Sequence, residues 1–250
     1  MKALILAAGR GTRIRSVHGD RPKCLIGLNN SAWTILDHQI DSLLSAGVSK
    51  ICIVVGYEME QIVNHVQAHH GRYLRNIQFI ANRRFAETNN IYSLWLARES
   101  MKDDSFICLN ADVVFDPRVL TPALRSRTPI TMIVDPEWRD ETMKVIITNG
   151  RIVRMSKGIP ESEFSGTYLG ITAFSKDVSP RFFKEVETRI QSGHENDFFN
   201  TAVQQLADEG VHVGYSFTGG LPWAEIDDPG DLTFARRFVF PELQLMERAA

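Results

Sequence analysis

At 250 residues, with 44% hydrophobic and 23% charged side chains, the chain has the composition of a water-soluble globular protein with one substantial core. A formal net charge of −2 excludes a global attraction to nucleic acid or to an anionic membrane, so any basic site must be local. The three cysteines, Cys24, Cys52 and Cys108, are widely spaced and form no C-x-x-C pair, which suits neither a disulfide framework nor a zinc site and predicts a reducing, cytoplasmic setting.

The chain opens on a predicted strand, Lys2–Leu6, within an apolar run from Ala3 to Ala8 that is too short for a signal sequence or a membrane span. That strand runs into Leu6-Ala7-Ala8-Gly9-Arg10-Gly11-Thr12-Arg13, followed by Arg21-Pro22-Lys23. Glycines let backbone N–H groups approach an anion, and Arg13 and Lys23 bring the positive charge that a polyphosphate needs. Two other phosphate motifs are excluded. A dinucleotide fingerprint needs a third glycine where Ile14 stands, and a P-loop needs Gly-Lys-Ser/Thr where Lys23 lies between Pro22 and Cys24. The alternative is a plain glycine-rich turn with solvated arginines. Cys24, beside Lys23, reads as a packed thiol rather than a reactive one.

Further strands are predicted at Lys50–Val55, Ile77–Ile80, Ser105–Leu109 and Ile130–Val134, each a short apolar run. Helices lie between them. One carries Ile35, Leu36, Gln39, Ile40, Leu43 and Leu44; a second carries Met59, Ile62, Val63 and Val66; a third, capped by Asn89 or Asn90, carries Ile91, Leu94 and Trp95. Alternation of this kind predicts an α/β fold, Rossmann-like, with a mostly parallel sheet flanked by helices. After Asp135 the pattern changes. Lys144 to Met155 reads as two alternating strands joined by Asn149-Gly150, a hairpin signal and the start of a smaller antiparallel region over the site. Amphipathic segments at 182–190 and 198–206, strands at 211–217 and 223–226 and a helix at 229–238 complete the chain. No repeat or linker appears, so residues 1–250 read as one domain: 1–135 a nucleotide-binding half, 136–227 an acceptor-binding half and 228–250 a terminal helix and tail. Phe234, Phe238 and Phe240 pack either internally or against a twin, which leaves a homodimer open.

In open parallel sheets ligands bind at the carboxyl ends of strands. Asp112 closes such a strand on the side of the glycine loop, and in Glu225-Ile226-Asp227 strand alternation puts both acids on one face. Scattered carboxylates beside a phosphate loop suit Mg²⁺, which keeps several waters and substrate oxygens. Asp112 also reads as a turn residue, and Asp227 as a turn or cap; Asp228 is the better cap.

With these pieces in place the chain resembles the sugar-phosphate nucleotidyltransferase superfamily, whose L-A-A-G-x-G-x-R and P-K pattern is matched by Leu6 to Arg13 and Pro22-Lys23. Glu87 to Leu94 and Glu225-Ile226-Asp227 are similar to the phosphocholine cytidylyltransferase-like branch. The resemblance implies a GT-A-like fold and a Mg²⁺-dependent transfer of a nucleoside monophosphate from CTP to a small phosphorylated acceptor. Its product would be an activated precursor for a surface glycan or a phospholipid-like compound. It further implies that Leu6, Ala7, Ala8, Gly9, Gly11, Asn89, Asn90 and Ser93 contact the nucleotide, that Arg13 and Lys23 hold the triphosphate, and that Asp112, Asp227 and Glu225 hold the metal. Neither nucleic acid nor membrane is an expected partner. His18, inside the basic loop, is within reach of a phosphate; the other histidines read as structural or surface groups.

The acceptor is less defined. Trp138, Tyr168 and Trp223 could face a quaternary ammonium, although Tyr168 and Trp223 read better as core. Lys144 and Lys157 instead favour an acceptor with a carboxylate or phosphate, such as an amino-acid phosphate or a phosphonate. A sugar 1-phosphate taking a uridylyl or thymidylyl group is an alternative, as is a subunit that binds nucleotide without turnover.

Overall fold

Four strands, β1 (Lys2–Ala7), β2 (Lys50–Val55), β3 (Ile77–Ala81) and β4 (Phe106–Asn110), lie parallel in the order β3-β2-β1-β4. The computed structural model that shows this describes residues 1–28 and 33–247. Helices α1 (Arg15–His18), α2 (Ile35–Ser45), α3 (Met59–His69), α4 (Asn90–Leu96) and α5 (Arg98–Met101) fall between these strands. Strands covered on both faces need apolar side chains on both, which is why they read as continuous Val/Ile/Leu runs. Ile5, Ile53 and Leu109 pack with Leu36 and Ile40 of α2, while Leu4, Val54 and Phe106 pack on the other face with Ile91 and Leu94 of α4.

The second half extends this sheet. It contains β5 (Val113–Phe115), α6 (Leu120–Arg125), β6 (Ile130–Asp135), β7 (Lys144–Thr148), β8 (Arg151–Ser156), β9 (Gly166–Phe174), α7 (Ser179–Gln191), α8 (Asn200–Asp208), β10 (Val213–Phe217) and β11 (Trp223–Glu225). The seven-strand path runs β10-β6-β9-β4-β1-β2-β3, and β9 is antiparallel to both β4 and β6. The sequence pattern alone predicts no strand there. Gly166 and Gly170 interrupt the apolar period, yet all nine residues of β9 are buried. Gly170 has φ +82°, and a Cβ on it would lie 2.9 Å from the Asn110 amide nitrogen, so only glycine fits this close approach. The β6–β9 register shifts beside it, between Met132 and Val134, as a bulge does.

Asn149 and Gly150 have φ 51° and 74°, the left-handed pair that an Asn-Gly hairpin turn demands. The β7–β8 hairpin joins the edge of β9 through Lys144 opposite Thr167. Gln204 of α8 fixes its far strand, accepting from Met155 N at 2.8 Å and donating to Val153 O at 3.0 Å. At the C-terminal end, α9 (Pro229–Phe234) is capped by Asp228, and a π-helical turn at Ala235–Val239 carries the chain into α10 (Phe240–Glu247). The terminal helix is therefore longer than the expected 229–238, and residues 248–250 of the expected tail lie outside the described residues. Phe240 is buried, whereas Phe234 and Phe238 are exposed and pack on each other with ring centroids 5.2 Å apart. Among the described residues no helix is long and apolar enough to cross a membrane.

His38 of α2 is buried beneath β5, where its Nε2 donates to Phe115 O at 2.7 Å. Burial lowers its pKa to about 4, against smaller opposing contributions from that hydrogen bond and from Asp116. The unfolded chain therefore binds a proton near pH 6.5 that the fold refuses until about pH 4. Stability from this group is complete above pH 6.5 and is lost as pH falls toward 4, by about 3 kcal/mol. Urea titrations at stepped pH should show that slope, and His38→Gln should flatten it.

Candidate active site

The glycine loop, the β4–β5 turn and the residues after β11 meet at the carboxyl ends of the parallel strands. Two antiparallel segments bring the acids together. β11 pairs with β5 so that Glu225 lies opposite Val113, and Ile226 N donates to Asp112 O at 2.9 Å. Beneath the turn, the buried Gln39 amide of α2 donates to Asn110 O at 2.8 Å and to Val113 O at 2.9 Å, holding Ala111-Asp112 between them. Gln39, read in sequence as one more member of a helix face, is thus a positioning residue for Asp112.

Lys23 Nζ donates to Asp112 Oδ2 at 2.7 Å and to Asp227 Oδ1 at 2.9 Å. Burial disfavours its ammonium, but the charges and hydrogen bonds of Asp112 and Asp227 more than offset this and hold its pKa above the ordinary lysine range. Arg13 Nη2 reaches Asp227 Oδ2 at 2.7 Å. One carboxylate oxygen each from Asp112, Glu225 and Asp227 lies within 4.8 Å of the others. Burial, then the negative charges of Asp112 and Asp227, push the Glu225 carboxyl up to about 8. Asp112 Oδ1 is buried with no hydrogen-bond partner, an acceptor that a cation would satisfy. An all-oxygen cluster of this kind fits a hard divalent ion such as Mg²⁺.

Why Ile14 replaces a third glycine is also visible. It is fully buried with Ile26, Val114, Ile226 and Leu232, so it pins the loop to the segments that carry the acids. Gly11 has φ +58°, and a Cβ there would meet Lys23 Cβ at 2.9 Å, which fixes the loop against the lysine. His18 Nε2 lies 3.2 Å from Gly11 O, on the loop rather than in the cleft. The Cys24 thiol is buried and pushed up to about 12 by that burial, Lys23 notwithstanding, as a packed thiol should be.

One cleft is lined by Leu6, Ala8, Gly9, Arg13, Asn89, Asn90, Ser93, Asp112, Glu225 and Asp227, while Ala7, Gly11 and Lys23 line a small recess behind it. Asn89 caps α4, its Oδ1 accepting from Asn90 N at 2.8 Å, and Asn90 Oδ1 accepts from Phe199 N at 2.8 Å. Sequence reasoning missed Asn82 and Phe85, which also line the cleft. Asn82 is buried just past β3 and donates to Ser93 Oγ at 3.0 Å and Thr88 Oγ1 at 3.2 Å. The rule that singled out Asp112, a polar residue closing an apolar run, applies to Asn82 equally.

The four expected acceptor residues are separated. Lys157 and Tyr168 line the same cleft, with Thr142, Met143, Phe198 and Asn200. Tyr168 is buried, its hydroxyl 2.8 Å from Thr172 Oγ1. Lys144 does not face the cleft as expected: it is 3% exposed, its Nζ donating to Thr142 O at 3.3 Å and Lys157 O at 3.4 Å and lying 4.5 Å from the centre of the Trp138 ring. Those carbonyls and that ring face take up its charge inside the wall. Trp138 lies in an adjoining hollow with Arg139 and Phe234. Trp223 is buried under the Arg139 guanidinium, 3.9 Å above its ring.

Residues 3–176 match the MobA-like NTP transferase domain. The chain is 25% identical over 257 aligned positions to a CTP:phosphoglutamine cytidylyltransferase of Campylobacter jejuni, covering 93% of this chain and 98% of that one. It is 29% identical over 208 positions to a 2-aminoethylphosphonate cytidylyltransferase of Lancefieldella rimae, covering 80% and 78%. Among solved structures, the inositol-1-phosphate CTP transferase from T. maritima superposes with a TM-score of 0.80 at 23% identity, over 98% of this chain and 94% of that one, a likeness of fold.

Proposed function

This chain belongs to the MobA-like NTP transferase family, and on that premise we propose that it is a cytidylyltransferase that moves CMP from CTP to a small phosphorylated or phosphonate acceptor. The observation that carries this reading is the meeting of Arg13 and Lys23 with three carboxylates at the mouth of a glycine-loop cleft. An anionic oxygen of the acceptor attacks the α-phosphorus, a new P–O bond forms, and the bond to the leaving pyrophosphate breaks. No general base is needed, because a phosphate monoester with a second pKa of about 6 is already anionic at neutral pH. The protein supplies position and charge. Arg13 and Lys23 offset charge on the triphosphate, while Leu6, Ala8, Gly9, Asn89, Asn90 and Ser93 seat the nucleoside, with Phe85 as an apolar wall. Asp112, Glu225 and Asp227 would hold Mg²⁺, which when bound supplies further charge neutralisation.

Residues 1–135 then form the nucleotide half and 136–227 the acceptor half. Lys157 also lines this cleft, which supports an acceptor carrying a second anionic group, of the phospho-amino-acid type; a zwitterionic aminophosphonate, whose second group is an ammonium, is the alternative. The name of the phosphoglutamine enzyme agrees with the first kind of acceptor, and that of the 2-aminoethylphosphonate enzyme with the zwitterionic alternative. On this reading its product is an activated precursor for a surface glycan or a phospholipid-like compound, made in the cytoplasm. Pyrophosphate release should be measured with CTP, UTP, dTTP and GTP against phosphoglutamine, 2-aminoethylphosphonate, phosphocholine, inositol 1-phosphate and glucose 1-phosphate. Release is expected with CTP and a charged amino acceptor. Turnover confined to UTP or dTTP with the hexose phosphate, or nucleotide binding with no release in any pair, would overturn the reading.

A further inference from the structure

Between α2 and α3, away from the carboxylates of the cleft, a second cluster of ligand-type side chains has no part in the chemistry above. His65 and His69 stand four residues apart on α3 and so share one face, and Asp37 of α2 lies opposite them. His65 Nε2 is 2.8 Å from Asp37 Oδ2 and 2.9 Å from His69 Nδ1, while His69 Nδ1 is 4.0 Å from Asp37 Oδ1.

We propose that Asp37, His65 and His69 form a binding site for a divalent transition metal of the Zn²⁺ type, clamping α3 to α2. Three observations support it. First, taking Asp37 Oδ1 as its ligand atom, which lies 3.0 Å from His65 Nε2, the ligand-to-ligand separations run from 2.9 to 4.0 Å and bracket the about 3.3 Å between neighbouring ligands in a tetrahedron with bonds of 2.0–2.1 Å. Second, two imidazole nitrogens face each other at 2.9 Å, an arrangement in which one lone pair has a proton at most, and which a shared cation satisfies better. Third, the carboxylate is already oriented. Its Oδ1 accepts from His70 Nε2 at 2.8 Å, and its Oδ2 accepts from Thr34 N at 2.8 Å and Thr34 Oγ1 at 2.7 Å. Outer partners of this kind are what metal-binding side chains require.

The ligand set also sorts the ions. Two imidazoles and one carboxylate suit Zn²⁺ or Co²⁺, whereas the oxygen-only cluster at Asp112 suits Mg²⁺. Asp37 and His65 are nearly buried, but the His69 side chain is 43% exposed, which gives an entry path and leaves the fourth position to water. Because α2 also carries Gln39, two residues from Asp37, the clamp would stiffen the helix that holds the Asp112 turn.

The test uses the full chain, stripped with chelator and kept in saturating Mg²⁺ so that the cleft carboxylates are occupied. Co²⁺ is the probe. One equivalent should give the visible absorption of tetrahedral Co²⁺, be displaced by Zn²⁺ and raise Tm. His69→Ala, at a side chain that is 43% exposed, should abolish the absorption; His70→Ala should weaken Zn²⁺ binding by about tenfold to a hundredfold. Asp112→Asn should leave both readings unchanged. No tetrahedral absorption, or absorption that survives His69→Ala and disappears with Asp112→Asn, would overturn the site and leave the cluster as a hydrogen-bonded cap on α2.

Discussion

Asp112→Asn is expected to lower pyrophosphate release about 10³-fold while the protein unfolds within a few degrees of its parent. The rate follows from charge. Asparagine keeps the size of the side chain and one carbonyl acceptor, but it leaves two carboxylates where the cleft had three, and the buried Oδ1 that now lacks a partner can no longer bind a cation as an anion does. Losing several kcal/mol of charge stabilisation, about 4, is a factor of about 10³ in rate. The stability expectation follows from a cancellation. Lys23 loses one of its two carboxylates but retains Asp227 at 2.9 Å, and Glu225 loses one of the two like charges that raise its carboxyl to about 8. Pyrophosphate release and thermal melting on the same preparation check both statements. Normal turnover in the variant would remove Asp112 from the chemistry.

How far this site could be read from sequence depends on the range of the interactions that build it. The first four parallel strands and the helices α2, α3 and α4 were legible because each is a continuous apolar run or a 3.6-residue stripe, and both signals are local, whereas the single-turn helices α1 and α5 are too short to show a stripe. The glycine loop was legible for the same reason, but the packing of Ile14 against Val114 and Ile226 was not. β9 was not legible. Its place between β4 and β6 is set by partners far along the chain, and Gly170 is there for the Asn110 side chain, which no local pattern signals. Lys144 shows a different limit. A lysine on an alternating strand reads as solvent-facing or ligand-facing, and only the fold reveals the two carbonyls and the Trp138 face that take up its charge inside the wall. Likewise the individual residues Lys23, Asp112 and Asp227 were all candidates, but nothing local says that the ammonium sits between the two acids, 89 and 204 positions away.

That placement makes Lys23 the residue whose replacement should be most informative. With its side chain only 15% exposed and two carboxylates on it, Lys23 neutralises an acidic cluster that would otherwise be held together mainly by Arg13 on Asp227. Removing one partner of a buried charge pair typically costs about 3–5 kcal/mol, because the remaining charges stay buried and unpaired. For a chain of this length about 2–4 °C is lost per kcal/mol, so Lys23→Met in chelator should melt roughly 10 °C below its parent. Mg²⁺ should then restore more Tm to the variant than it adds to the parent, since in the parent the ammonium already occupies Asp112 and Asp227 and a bound cation must share them. Turnover should not return with the stability. Even in saturating Mg²⁺ the triphosphate would lack a fixed positive group at the loop, a loss of about 10²–10³-fold of the kind seen when one charge-stabilising donor is deleted. Melting both proteins across a Mg²⁺ titration, with pyrophosphate release at its end point, separates the two roles. Equal Mg²⁺ protection of parent and variant would mean that Lys23 and the cation do not compete for the same carboxylates, and would move the metal away from Asp112 and Asp227.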